Sequence, residues 1–190
     1  PLTDSVKKRS VDVLTKLAKA ESKVHRMPIE KVHLHEVGGL DCLVDVVGTV
    51  WGIEQLGIEA IISGAVSVGS GHVKCAHGMM PLPAPGTLAI LDQFPIRRTS
   101  VPHEMTTPTG AALITTLARP HAKPVTICPH QVGYGAGTRD IPEVANLFRI
   151  IQGELSDQSQ VSFRESHSHS HDHSHDHEHG HSHSHEHKHS

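Results

Sequence analysis

Between Val32 and Asp45 the chain reads Val-His-Leu-His-Glu-Val-Gly-Gly-Leu-Asp-Cys-Leu-Val-Asp, which gathers His33, His35, Glu36, Asp41 and Asp45 into one short stretch. Imidazole nitrogen and carboxylate oxygen are both ligands for divalent metal ions. In an extended chain alternate side chains share a face, so His33 and His35 point one way while Val32 and Leu34 point the other. Gly38-Gly39 offers a sharp turn, and a helical pattern then runs from Leu40 or Asp41 to about Leu56. At 100° per residue Asp41, Asp45, Gly48 and Gly52 form one narrow stripe, with Leu43, Val47 and Val50 roughly opposite. Two carboxylates one turn apart beside two glycines leave room for a ligand or another backbone. The plainer alternative is a solvated edge strand for the histidines and a helix cap for Asp41.

A second source of ligands lies at the other end. His167, His169, His171, His173, His175, His177, His179, His181, His183, His185, His187 and His189 occupy every odd position from 167 to 189, separated by Ser, Asp, Glu, Gly and Lys. A chain with imidazole at every second residue can wrap Zn, Ni, Cu or Fe. The interleaved polar residues argue against a purification tag, whose histidines are usually uninterrupted. Protonation of these imidazoles near pH ~6.5 is expected to expel bound metal. Ser166 to Ser190 has no apolar residue to offset the cost of ordering, and with the composition changing from about Ser156 the reading is a disordered metal-binding tail over 156–190.

Three further constellations carry chemistry. Lys74, Cys75 and His77 share a glycine-bounded loop, where Cys-x-His is either a metal-transfer pair or an activated thiol and its neighbours. Thr106, Thr107, Thr109 and Gly110 stand at a helix start, which offers hydroxyls and free N–H groups to an anion; a Thr cap before Pro108 is the commoner use of such residues. Gly133 to Gly137 is not a dinucleotide fingerprint, because no helical pattern follows it, but Arg139 beside it can clamp an anion.

The elements that must position these residues alternate. A helix over 3–25 carries Val6, Val13, Leu17, Ala20 and Val24 on one face, with Lys7, Lys8, Lys16, Lys19 and Lys23 elsewhere, and Pro28 ends it. Ile61 to Val68 reads as a strand interrupted at Gly64, 69–78 as an irregular loop and Pro85 to Leu91 as a short helix. Strands over 96–101, 125–128 and 147–151, a helix over 111–117 and a loop over 132–140 complete the pattern. The expectation is an α/β or α+β domain over 1–155, with a single mixed sheet and flanking helices.

The formal charge of −3 and the scarcity of aromatics (one Trp, one Tyr, three Phe) give no reason to expect nucleic acid. No apolar run suggests a membrane span. Three scattered cysteines suggest no disulfide framework and fit a cytoplasmic setting. The chain opens on Pro1 within a helical pattern and so reads as a fragment.

The stretches VHLHEVGGLDCLVD, VSVGSGHVKCAHGMMPLPAPGT, EMTTPTGAALI and VGYGAGTRDIPEVANLFRIIQGE, with the histidine-rich tail, resemble the nickel insertion proteins (nickel chelatases) of nickel-pincer cofactor biosynthesis, the pathway serving lactate racemase. Gly39 and Cys42 stand where that family more often has Ala and Ser. The resemblance implies a lyase-type enzyme that places Ni2+ into pyridinium-3,5-bisthiocarboxylic acid mononucleotide, consuming CTP with Mg2+ or Mn2+. It also implies an N-terminal stretch and a C-terminal part that this chain lacks, with a separately encoded C-terminal half among the expected partners, and lactate racemase as recipient. On this reading His33, His35, Glu36, Asp41 and Asp45 hold a divalent ion, Thr106 to Gly110 and Arg139 receive phosphate, and Lys74, Cys75 and His77 act in catalysis or metal transfer. The competing readings are a non-catalytic nickel or zinc store or chaperone, and a metal-dependent phosphate-ester hydrolase built on the same acids and imidazoles.

Overall fold

A computed structural model of the chain describes residues 1–32, 39–75, 78–121, 123, 125–142 and 144–156. The expectations for His33, His35, Glu36, His77 and the tail histidines fall outside these residues. The chain divides into units Pro1–Leu155 and Ser156–Ser190, and the description concerns the first.

Helix α1 (Asp4–His25) is the hub, packing against each of the other helices. Thr3 accepts from the Val6 N–H at its start, and Val6, Ser10, Val13, Leu17 and Ala20 form its buried stripe. Arg26, in the left-handed region at φ 51°, ends it before Pro28 is reached, and Ile29–Lys31 follow as one 3-10 turn. Lys16 does not join the solvated basic face. It is half-buried, its Nζ donates to the Thr115 carbonyl at 3.1 Å, and burial holds its ammonium below the ordinary 10.5.

Helix α2 spans Leu40–Gln55. Strands β1 (Ile62–Ser63) and β2 (Val66–Val68) are separated by Gly64, where the break was expected. Strands β3 (His72–Cys75) and β4 (Gly78–Pro81) make an antiparallel pair where a loop was expected. Helix α3 (Pro85–Ile90), strand β5 (Ile96–Arg98), helix α4 (Pro108–Leu117) and strand β6 (Arg119–Pro120) follow. Strands β7 (Ile127–Ala136) and β8 (Leu147–Leu155) end the described unit.

Helices and strands are mixed as expected, but the single sheet is not formed among the described residues. Four two-stranded ladders take its place: β1 with β6 and β2 with β5, both parallel, and β3 with β4 and β7 with β8, both antiparallel. The parallel strands are only two or three residues long, and the Gly64-Ala65 break sends β1 and β2 to different partners.

The core therefore rests on helices. Val13, Leu17 and Ala20 of α1 meet Cys42 and Val46 of α2, Val68 of β2, Ile90 of α3 and Ala111 and Ala112 of α4. Each fully buried aliphatic side chain of this kind contributes roughly 1.5–3 kcal/mol. The small alanines of α4 let that helix approach closely. No helix among the described residues is long and apolar enough to cross a membrane.

Candidate functional site

Parallel strands expose their carbonyl ends to whatever follows them, and ligands of α/β domains gather there. Here the loop after β5 wraps the end of β2. Thr99 donates to the Val68 carbonyl through both its N–H (2.9 Å) and its hydroxyl (3.1 Å), and the Ser70 N–H donates to the Val101 carbonyl at 2.9 Å. A Cβ on Gly69 would collide with the His103 and Val101 carbonyl oxygens, so the close approach of these two loops requires glycine. The Thr106 hydroxyl donates to the Ser67 carbonyl at 2.7 Å, which fixes the start of α4 against β2.

The threonine cluster is largely committed to structure. Thr107 is the N-cap of α4: its hydroxyl accepts from the Gly110 N–H at 3.2 Å and its carbonyl from the Ala111 N–H at 2.9 Å. Pro108 has no N–H to offer. Of the N–H groups in this first turn, the Thr109 N–H alone lacks a partner among the described residues. The expected row of free donors is thereby corrected to a single one, because the cap uses the others.

Thr109 supplies an unexpected link. Its hydroxyl donates to the Cys42 thiol at 3.5 Å, joining the N-terminus of α4 to that of α2 across 67 positions of sequence. Cys42 is the third residue of α2 and is buried. Beside it Asp41 and, one turn on, Asp45 are exposed, so both carboxylates remain open to a ligand. The Asp41 carboxylate lies over Gly39, where a Cβ would overlap it. Gly39 itself sits at φ −62°, a conformation any residue adopts, and the exposed Asp41 side chain can swing aside, so this position does not demand glycine.

Helix α2 is turned relative to expectation. Its buried stripe is Cys42, Val46 and Val50, while Leu43 is exposed and Val47 only half-buried. No backbone approaches Gly48 or Gly52 among the described residues, since a Cβ at either would have nothing within 4 Å. Nor do any three His, Cys, Asp or Glu side chains converge among the described residues. A complete metal shell would need donors from outside them as well as Asp41 and Asp45.

Glu104, which the sequence reading did not single out, lies in the same wrapped loop. Burial pushes its carboxyl above the ordinary 4.5, and the Arg139 guanidinium pulls it partly back. Arg139 is exposed, and Asn146 Nδ2 holds its carbonyl at 3.1 Å. The anticipated clamp thus has a carboxylate within electrostatic reach. Glu104 is the one acid in a run of apolar and hydroxyl residues, which was the available signal. Lys74 is exposed on β3 opposite Met79. The β3–β4 pair begins beside this end, where a Cβ on Gly71 would come within 3.8 Å of Pro102. The described residues show no contact between Lys74 and the threonines.

The described residues thus bring together exposed carboxylates at the start of α2, a hydroxyl–thiol contact that joins this start to that of α4, and, in the loop before α4, a half-buried acid that feels the Arg139 guanidinium. The chain belongs to the nickel insertion protein family, whose profile matches residues 1–185. It is 45% identical over 159 residues to the pyridinium-3,5-bisthiocarboxylic acid mononucleotide nickel insertion protein of Desulfitobacterium hafniense (strain DSM 10664 / DCB-2), covering 84% of this chain and 39% of that relative. The protein of the same description from Geobacillus kaustophilus is 41% identical, over 80% of this chain and 37% of the relative. A putative nickel insertion protein of Wolinella succinogenes is 42% identical, over 77% and 37%. The chain spans about two fifths of the length of the curated relatives it matches. No solved structure matches.

Proposed function

We propose that this chain is the nickel-handling part of an enzyme that inserts nickel into pyridinium-3,5-bisthiocarboxylic acid mononucleotide. The observation that carries the reading is the family match over residues 1–185, joined to relatives whose descriptions name that substrate. The geometry is compatible with it. Asp41 and Asp45 are open oxygen donors at the start of α2, and His33, His35 and Glu36 precede them closely in sequence. Together they supply the mixed nitrogen and oxygen donors that a divalent ion takes. Arg139 and the Thr109 N–H are candidates for the substrate's phosphate, with Thr106, Thr107 and Gly110 shaping the turn that presents them. Lys74, Cys75 and His77 are candidates for passing metal onward.

In this scheme the tail, with twelve histidines between His167 and His189, concentrates nickel, since a tether raises local concentration to about the millimolar range. CTP as co-substrate, Mg2+ or Mn2+ as its counter-ion, lactate racemase as recipient and a cytoplasmic setting complete the proposal, on the resemblance alone. The carboxylates of Asp41 and Asp45 are oxygen donors of the kind Mg2+ and Mn2+ accept. The histidine density of the tail favours, as a second reading, a nickel or zinc store without catalysis.

The two are separated by supplying Ni2+, CTP and the mononucleotide to the chain together with the polypeptide its longer relatives carry. Nickel in the small-molecule fraction is then followed by elemental mass spectrometry. Insertion is expected to survive deletion of 157–190 at saturating nickel and to fail with Asp41→Asn/Asp45→Asn. A mononucleotide that stays free of nickel throughout contradicts the enzymatic reading and leaves the store.

A further inference from the structure

The β7–β8 hairpin is apolar on both sides. Antiparallel register sets Val132 beside Ile151, Tyr134 beside Arg149 and Ala136 beside Leu147 on one face. On the other face Phe148 lies opposite Gly135 and Ile150 opposite Gly133. Yet Val132, Tyr134, Leu147, Phe148, Ile150 and Ile151 are all exposed. The Gln152 side-chain amide reaches the Leu56 carbonyl at 3.4 Å and ties β8 to the end of α2, but it covers neither face.

Two further features mark the hairpin as incomplete. A two-stranded ribbon is at best marginally stable in water on its own, and strands apolar on both faces belong inside layered structures. The outer edge of β8 has no partner strand among the described residues, and β8 contains neither Pro nor Lys to block it, its charged side chains being Arg149, beside Tyr134 within the hairpin, and Glu154.

We propose that this hairpin is the docking face for the polypeptide that the longer relatives carry outside the matched segment, and that this polypeptide adds a strand to the free edge of β8 and covers Val132, Tyr134, Leu147 and Ile151. More than half of each relative lies outside the match, and the hairpin is the last element of the described unit, ending at Leu155. A second copy of this chain is a poorer occupant. A two-fold axis through Ile151 would pair Leu147 with Leu155 on one face, but on the other would set Phe148 against Glu154 and Ile150 against Gln152, leaving the apolar side chains of that face opposite polar ones. The inference rests on family membership and on the exposed hairpin, and is independent of the reaction proposed above.

The test uses a chimera in which this chain replaces its matched segment in the Desulfitobacterium hafniense relative. Amide exchange over 147–155 is compared with that of the 190-residue chain alone, and a photocrosslinker is placed at Tyr134. The expected result is exchange at least tenfold slower in the chimera, abolished by Ile151→Asp, with crosslinks into the relative's remaining polypeptide of the same molecule. Equal exchange rates overturn the proposal, as do crosslinks that join the hairpins of two molecules. Should the chimera not fold, the intact relative carrying the crosslinker at the residue aligned with Tyr134 gives the same two outcomes.

Discussion

The helical body and the β7–β8 hairpin draw on the same aliphatic side chains and treat them in opposite ways. Val6, Val13 and Val46 are fully enclosed, whereas Leu147 and Ile150 are 53% and 58% exposed. In the body, the buried residues of α1 fall on a single stripe, and that stripe finds α2, α3 and α4. In β8 the run Leu-Phe-Arg-Ile-Ile-Gln-Gly-Glu-Leu puts apolar groups on both sides, so one neighbour cannot satisfy it. The body thus closes on its own contacts, whereas the hairpin leaves apolar side chains uncovered on both faces.

Substitutions measure that contrast. Leu17→Ala removes a fully enclosed side chain from the centre of the body, and is expected to cost about 3 kcal/mol in urea unfolding of this chain. Ile151→Ala in the same chain is expected to cost no more than about 0.5 kcal/mol, the usual range for an exposed position. Equal losses would show that the hairpin is already part of the core and would erase the distinction.

A smaller effect concerns the acid next to the hairpin connection. Burial raises the Glu104 carboxyl above the ordinary 4.5, with Arg139 opposing, so the folded state keeps a proton that the unfolded state has released. Its contribution to stability is therefore fully present below 4.5 and is lost as pH rises through the raised value. Glu104→Gln is expected to remove this loss, so the melting-temperature difference between variant and parent should grow in the variant's favour from pH 4 to pH 7. A difference that is flat with pH would place Glu104 in water and detach Arg139 from it.

Much of the body was legible. The spacing of Val6, Val13, Leu17 and Ala20 announced α1, and Pro85 and Pro108 marked the first turns of α3 and α4. The facing of α2 was not legible, because Leu40, Leu43, Val44 and Trp51 are as apolar as the Cys42, Val46 and Val50 that are buried. Periodicity cannot choose between two apolar stripes; packing against α1 and α4 does. Gly133 and Gly135 suggested a loop, yet they lie within β7, opposite Ile150 and Phe148. The strands β3 and β4 were hidden by mixed polar residues without clean alternation.

At the site, Thr107 could be recognised as a cap from its position before Pro108. The Thr109–Cys42 contact could not, since nothing local in sequence relates two residues so far apart. Glu104 acquires its character only when the loop after β5 folds over the end of β2.

We propose that the folded body, and not the histidine tail alone, binds nickel through the start of α2. The direct measurement is nickel stoichiometry by equilibrium dialysis and elemental mass spectrometry on the chain ended at Leu155, with and without Asp41→Asn/Asp45→Asn. One tightly held nickel ion is expected in the shortened chain and none in the double variant. A shortened chain that holds no nickel, or a double variant that holds it unchanged, would contradict it.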